Sequence, residues 1–178
     1  MKEQKEFTIP FVGLKVGEHK YKIDIENTFF EHFEYDEFND VNIHLDVLLN
    51  KKTTLLEFTL SFLGSVGVNC DITNEPFDQD KSGTYHFVVK FGEEYDADNE
   101  DLLILPHGSH QVNIQQYVYE SIILSMPARR IHPGVADGTL KSEMLERLEE
   151  LSPKSDNESE KETTDPRWDE LKKLLTDK

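Results

Sequence analysis

The sequence is poor in cysteine and in cationic side chains. Its single cysteine, Cys70, excludes an intramolecular disulfide and any zinc site built from several cysteines. Lys and Arg total 19 against 36 Asp and Glu, which gives a net charge of −17. A charge of this sign disfavours binding to an exposed phosphate backbone or to an anionic membrane. Any contact with nucleic acid therefore needs a local basic patch or an intermediary.

Long apolar runs are also lacking. No stretch approaches the ~18 consecutive apolar residues of a membrane span. The first residues, MKEQKEF, lack the apolar stretch of a signal peptide. We therefore expect a soluble, cytoplasmic protein. The length of 178 residues fits one domain of ordinary size with a tail.

Motifs of the common catalytic and cofactor sites are absent from the sequence. It contains no HExxH, GxSxG, GxxxxGK[ST] or GxGxxG pattern. His107 and His110 lie three residues apart but have no carboxylate at a metal-binding spacing. We assign no catalytic, metal or cofactor residues. Cys70, with Asp71 beside it, is the one candidate nucleophile. Together with the histidines and the scattered carboxylates, it keeps an RNA-processing or other hydrolytic enzyme open as an alternative.

Alternation of apolar and polar residues predicts strands over much of residues 7–91. The runs at 41–47 and 56–62 alternate in this way, and together they are typical of an antiparallel hairpin. Only a short helix candidate at 28–33 interrupts the region, and parallel crossovers need about a dozen residues each. We expect an α+β protein with a twisted or barrel-like antiparallel sheet over residues 5–105.

Towards the C-terminus the apolar spacing changes to that of helices. Three- and four-residue spacing over 112–126 predicts a helix packed on the sheet. The β-rich domain with this helix is expected to span 1–133, and a helical extension is expected over 134–151. Residues 152–164 contain no apolar group, which predicts a disordered linker.

The last segment, 165–178, predicts a short amphipathic helix. Asp165 can cap this helix and Pro166 suits its first position. A short helix on a flexible tether is hard to stabilise alone, so we expect it to dock on its own body or on a partner. The residues expected to dock are Arg167, Trp168, Leu171, Leu174 and Leu175.

The cationic residues available for contact with RNA or a partner fall into two sets. Residues 1–23 carry five basic and three acidic groups, whereas residues 24–133 carry six and twenty. The only adjacent arginine pair lies after the predicted packed helix, where arginines either pair with local carboxylates or contact phosphate. The candidate contact residues are Lys15, Lys20, Lys22, Arg129 and Arg130.

Five sequence motifs follow one another along nearly the whole chain. They are Phe7 through Gly17, the Phe29-Phe30 pair, Gly64 through Asp71, Glu120 through Pro127, and Asp165 through Trp168 with the leucines after it. In this order they resemble the bacterial YceD-like family, also described as large ribosomal RNA subunit accumulation proteins. The resemblance implies a role in accumulation of that RNA, and hence in ribosome assembly, with no established catalytic activity.

The chain departs from the family pattern around its cysteine. Many relatives carry a second cysteine three residues after the first, where this chain has Thr73. Many carry further cysteines where this chain has Arg129, Arg130 and His132. A metal-stapled form of the family is therefore not expected here, and an apolar helical stripe from Leu140 to Leu151 is the expected replacement.

Charge and resemblance together give the expected function. A net charge of −17 argues against wrapping naked RNA. We expect a non-enzymatic factor whose acidic surface contacts basic partners, such as ribosomal proteins or the pre-ribosomal large subunit. Direct contact with RNA is expected to be local. Besides the hydrolytic enzyme, an acidic chaperone-like module for one basic client stays open as an alternative.

Overall fold

The computed structural model describes residues 5–99 and 101–152. The chain divides into two compact units between Lys141 and Ser142. The described strands are β1 (Thr8–Pro10), β2 (Gly17–Ile25), β3 (Asp40–Lys51), β4 (Leu55–Asn69), β5 (Pro76–Gly92), β6 (Asp96–Asn99), β7 (Leu102–Pro106) and β8 (Gln111–Asn113). The described helices are α1 (Asn27–Glu31), α2 (Gln115–Leu124), α3 (Pro133–Ala136) and α4 (Glu143–Leu151).

Six of the strands form one sheet in the order β2-β3-β4-β5-β7-β6, and β1 and β8 form a separate antiparallel pair. Neighbours from β2 to β5 are antiparallel. Alternation of buried with exposed or half-buried residues along β3 places all of its apolar residues except Leu48 on one face, where Leu45 lies opposite Phe62 of β4. These strands, together with the helices, confirm the predicted α+β class.

The pairing of β5 with β7 is parallel, which differs from the wholly antiparallel sheet that the sequence predicted. The chain leaves β5, forms β6 at the edge of the sheet, and returns as β7 between the two. Residues 93–101 are enough for this return because the connection contains a strand instead of a helix. The acidic stretch between β5 and β7 therefore contains an edge strand.

The apolar face of the sheet is covered by α1, α2 and the β1–β8 pair. Phe29 and Phe30 of α1 are both buried, and the Phe29 ring lies 4.7 Å from that of Phe7, between centroids. In α2, Val118 and Ile122 are fully buried. The aromatic residues that the sequence contains in abundance are thus mainly core residues.

The stretch from 133 to 151 contains two short helices. Gly138 has a φ of 72°, a left-handed conformation that suits the residue just after a helix, and it follows the end of α3. The second unit begins at the cap of α4, where the Ser142 hydroxyl accepts a hydrogen bond from the Met144 N–H at 3.4 Å. The predicted linker after Ser152 and the predicted helix at 165–178 lie outside the described residues, and so do all five residues expected to dock.

Candidate functional site

Helix α2 is fixed over the sheet by contacts at both of its ends. At the start, the Asn113 side-chain oxygen accepts a hydrogen bond from the Gln115 N–H at 2.8 Å. At the end, Nζ of Lys81 donates a hydrogen bond to the Ser125 carbonyl at 3.1 Å. Burial lowers the pKa of Lys81, and the partial negative charge of a helix C-terminus favours the cation that remains. These contacts hold the exposed side of α2 in a defined position.

Beside α2 lies a groove of about 720 Å³ that is lined mainly by apolar and aromatic surface. Four of the six tyrosines of the sequence line it. The rings of Tyr85 and Tyr117 lie nearly parallel, with 6.2 Å between centroids. Tyr95 is 64% exposed and Leu124 is 84% exposed, so both present large apolar surfaces to solvent. The groove is an exposed aromatic surface of the kind that marks interaction sites.

Carboxylates complete the lining of this groove. Asp98 of β6 and Glu120 of α2 both line it and both are exposed. Burial raises the pKa of Tyr117 to about 12, with nearby Tyr95, Tyr85 and Glu120 adding to the effect. The carboxylates of Asp98 and Glu120 disfavour an anionic ligand such as phosphate in the groove.

A second depression, of about 570 Å³, adjoins the groove along β6. It shares Tyr95 and Asp98 with the groove and adds the carboxylates of Glu93, Glu94 and Asp96. In the sequence, the segment 91–128 contains seven Asp or Glu and no Lys or Arg. The groove and the depression together form one acidic, tyrosine-lined surface, called the β6–α2 surface below.

The lone cysteine lies in a turn directly after β4. The Cys70 Sγ accepts a hydrogen bond from the His132 N–H at 3.3 Å. Burial raises the pKa of this thiol, but hydrogen bonds from the His132 N–H, the Thr73 hydroxyl and the Thr73 and Ile72 N–H groups together lower it to about 7. The thiol of Cys70 is thus joined to Thr73 and to the backbone of His132 by hydrogen bonds.

The same turn is tied to the chain after α2 by Arg130. The Arg130 N–H donates to Oδ2 of Asp71 at 2.6 Å, and Nε of Arg130 lies 3.3 Å from Oδ1 of Asp71. Nη1 of Arg130 donates to Oε2 of Glu37 at 3.0 Å. The guanidinium of Arg130 is therefore engaged by two carboxylates, whereas Arg129 beside it is exposed.

The candidate lysines lie on or beside β2, at the edge of the sheet opposite β6. Lys20 and Lys22 are exposed on β2, which is an edge strand, and Lys15 is exposed in the turn before it. Nζ of Lys22 lies 3.7 Å from Oδ1 of Asp46, and both side chains are largely exposed. The structure thus places the lysines on β2 and its turn, and the arginines in the segment after α2.

The contacts of Cys70 bear on the hydrolytic alternative. Nδ1 of His132 accepts a hydrogen bond from the Gly134 N–H at 2.9 Å, so its lone pair is not directed at the thiol. Asp71 is paired with Arg130. Among the described residues, no group of three His, Cys, Asp or Glu side chains lies close enough to hold a metal ion. The turn has the contacts of a structural junction between β4 and the segment after α2.

The tyrosines of the β6–α2 surface were not among the candidate contact residues that the sequence indicated. Tyr117 does pack, but Tyr95 is mostly exposed. The signal that could have found the surface is the run without Lys or Arg from 91 to 128, which contains three tyrosines and seven acidic residues. Alternation alone could not show that β6 and α2 meet at one groove.

These features define an acidic α+β protein with a surface suited to binding another molecule. The family model described as large ribosomal RNA subunit accumulation protein YceD matches residues 58–175, and the chain belongs to this family. The family suspected from the motifs is thereby confirmed. A comparison with curated proteins and another with solved structures found no match.

The matched range contains three of the five motifs that carried the resemblance, those at 64–71, 120–127 and 165–168. The family's description refers to accumulation of the RNA of the large ribosomal subunit. Within residues 5–99 and 101–152, no helix combines the length and apolar character that crossing a membrane requires.

Proposed function

We propose that this protein supports accumulation of large-subunit ribosomal RNA as a non-enzymatic assembly factor in the cytoplasm. In this role its acidic surface contacts basic partners, namely ribosomal proteins free or on the pre-ribosomal large subunit. Membership of the family supports the part of the proposal that concerns the RNA of the large ribosomal subunit. The net charge of −17 supports a protein partner, because a surface of this sign attracts cationic proteins and repels exposed phosphate.

The observation that carries the proposal is the uniform charge of the β6–α2 surface. Charged residues along segment 91–128 are all acidic, so no cation on that segment competes with a cationic partner. Ribosomal RNA carries anionic phosphate along its whole backbone, whereas the proteins bound to it carry cationic lysine and arginine side chains. Complementary charge raises the rate and the specificity of such an encounter.

Contact with RNA is proposed only for the exposed cationic residues. Lys15, Lys20 and Lys22 are exposed at the β2 edge, and Arg129 is exposed after α2. Arg130 has a smaller part in this proposal, because its guanidinium already contacts Asp71 and Glu37. Such contacts would position RNA that is bound mainly through its proteins.

The predicted C-terminal helix is proposed as a second docking element. Its residues Arg167, Trp168, Leu171, Leu174 and Leu175 combine one aromatic anchor with an apolar stripe.

Depletion of the protein tests the proposal most directly. We expect the ratio of large to small ribosomal subunits to fall when the protein is removed and to recover when it is restored. A normal ratio after complete depletion would contradict the proposal. The small subunit serves as the internal control, because a general loss of ribosomes lowers both subunits together.

Capture experiments separate the proposed mechanism from its alternatives. Tagged protein at moderate salt is expected to retain ribosomal proteins or pre-ribosomal particles. Retention of naked RNA alone, with an affinity that falls steeply as salt rises, would make RNA the main binding partner in place of a basic protein. Retention of one free basic protein without particles would favour the chaperone-like module.

A further inference from the structure

We propose that the groove of the β6–α2 surface is a docking site for a cationic segment of a protein partner, one that presents arginine together with apolar side chains. The proposal rests on the function proposed above for the partner's class and adds the place and the chemistry of the contact. The shape of the groove, its aromatic lining and its charge all favour such a segment.

The size of the groove fits side chains of a peptide. Its volume of about 720 Å³ lies within the ~300–1,000 Å³ that is usual for ligand sites. Ala97 of β6 and Ile123 of α2 contribute apolar lining, and Leu124 is mostly exposed. A groove of this kind gains affinity by covering exposed apolar surface, which requires a partner with apolar side chains.

The tyrosine rings favour a cation within the same groove. The face of an aromatic ring attracts a guanidinium or ammonium group, and arginine stacks on such faces especially well. Tyr95 is 64% exposed, so its ring is accessible without rearrangement of the core. Tyr117 is held in place by its stack on Phe87, with 4.2 Å between centroids. Rigid aromatic residues are the usual anchors of protein interfaces.

Carboxylates on both sides of the groove select the charge of the occupant. Asp98 and Glu120 line it from β6 and α2, and the adjoining depression adds Glu93, Glu94 and Asp96. Nucleic acid is disfavoured as the occupant because its phosphates would approach this set of carboxylates. Arginine fits both the rings and the carboxylates, since its planar group stacks and also forms paired hydrogen bonds.

The chain's own C-terminal segment is a weaker match by charge. Residues 153–178 contain six Lys or Arg and eight Asp or Glu, a net charge of −2. A net negative segment gains nothing from the carboxylates around the groove. The inference therefore assigns the groove to a separate cationic protein.

Binding of a labelled peptide to the full chain tests the assignment. The probe is a 12-residue peptide of four Arg-Ser-Leu repeats, followed by fluorescence anisotropy at low salt. Three comparison probes carry the same label and are titrated separately: the matching Glu-Ser-Leu peptide, a 12-nucleotide single-stranded RNA, and a peptide of residues 153–178. We expect the arginine peptide to bind more tightly than any of the three. Binding of the RNA or of the 153–178 peptide with equal or tighter affinity would overturn the assignment.

Three double variants locate the binding. Asp98→Asn with Glu120→Gln, and Tyr95→Ala with Leu124→Ala, are each expected to weaken peptide binding about fivefold. Asp78→Asn with Asp80→Asn makes the same change of charge on exposed residues of β5 outside the groove lining, and a change within about twofold is expected. Equal weakening by the two charge variants, or no effect of the Tyr95 and Leu124 variant, would contradict docking in the groove.

Folding and function are checked on the same variants. All four substituted groove residues are exposed, and circular dichroism with thermal unfolding confirms that each variant keeps its fold. In cells depleted of the protein, the Asp98 and Glu120 variant is expected to restore the subunit ratio less well than the Asp78 and Asp80 variant. Full restoration despite lost peptide binding would overturn the groove as the functional contact and leave the assembly role intact. An unchanged ratio on depletion would instead overturn the assembly role, and the peptide data would then decide the groove alone.

Discussion

The ring of Tyr117 lies against the ring of Phe87, with 4.2 Å between centroids and 12° between planes. Phe87 in turn stacks on Phe58, with 4.9 Å between centroids and 7° between planes. One column of rings thus runs from β4 through β5 to α2. Because Tyr117 also lines the groove, the core of the sheet directly sets the position of a residue at the candidate binding surface.

Substitution of the central ring tests this connection. Phe87→Leu keeps an apolar side chain but removes both ring stacks, and we expect a loss of about 1–3 kcal/mol in the free energy of unfolding. Urea denaturation followed by circular dichroism measures it. Tyr117→Phe keeps the ring and is expected to cost less. A Phe87→Leu protein that unfolds at the urea concentration of the parent would show that the stacks do not stabilise the fold.

A second prediction concerns Gly64, which opens one of the motifs of the family resemblance. A Cβ atom there would lie 2.1 Å from the backbone oxygen of Asn42 on the paired strand. Gly64→Ala therefore forces β3 and β4 apart, and we expect a loss of about 3 kcal/mol. The matched control is Gly67→Ala on the same strand, where the nearest atom would be 3.2 Å away. Equal thermal stability of the two variants would contradict the steric explanation.

How far the sequence predicts the sheet depends on the apolar content of each strand. β3 and β4 were predicted as a hairpin because apolar residues alternate with polar ones over 41–47 and 56–62, and the structure buries these apolar residues. The strand at β6 was not predicted, since its sequence DADN has one apolar residue, all four residues are exposed, and pairing rests on the backbone. Residues 78–84, in the first half of β5, likewise carry no alternating apolar signal, because none of them has a large apolar side chain.

The candidate site was predictable only in part. Local charge predicted an acidic body, and local pairing was one of two readings offered for the Arg129-Arg130 pair. The contacts of Arg130 join residues 59 and 93 positions apart in the chain, so no local pattern indicates them. Likewise, the groove needs β6 and α2 side by side, and that arrangement follows from the parallel return of β7, which the sequence did not predict.

A third prediction uses the contacts of Asp71 with Arg130. The backbone N–H of Arg130 is the main cause that lowers the pKa of Asp71 below its usual value of 3.8, followed by the charge and side-chain hydrogen bond of Arg130. Arg130→Gln removes the charge and the guanidinium hydrogen bond of Arg130 but keeps its backbone N–H. We therefore expect the pKa of Asp71 to rise in this variant but to stay below 3.8, as measured by carbon NMR of the carboxyl group.

The matched control for this measurement is Arg129→Gln, because Arg129 contributes least to the shift. A full return to the usual pKa in the Arg130 variant would show that the side chain, and not the backbone N–H, holds the carboxylate. Because the folded pKa of Asp71 lies below the usual value, its contribution to stability is present above pH 3.8 and is lost as the pH falls through the folded pKa.

The last prediction concerns the thiolate of Cys70. Burial alone would raise the pKa of this thiol, and the hydrogen bonds of the turn reverse the effect to about 7 from a usual 9.0. The folded protein therefore releases a proton between pH 7 and pH 9 that the unfolded chain keeps, so stability rises with pH across this window and is lost as the pH falls through 7.

Because the sequence has one cysteine, the difference in absorbance at 240 nm between a protein and its Cys70→Ser form reports the Cys70 thiolate without the contribution of the six tyrosines. We expect a midpoint near pH 7 in the parent and a higher midpoint in Thr73→Val, which loses the donating hydroxyl. Cys70→Ser should show neither the absorbance step nor this rise in stability, and a parent midpoint near 9 would show that burial outweighs the hydrogen bonds.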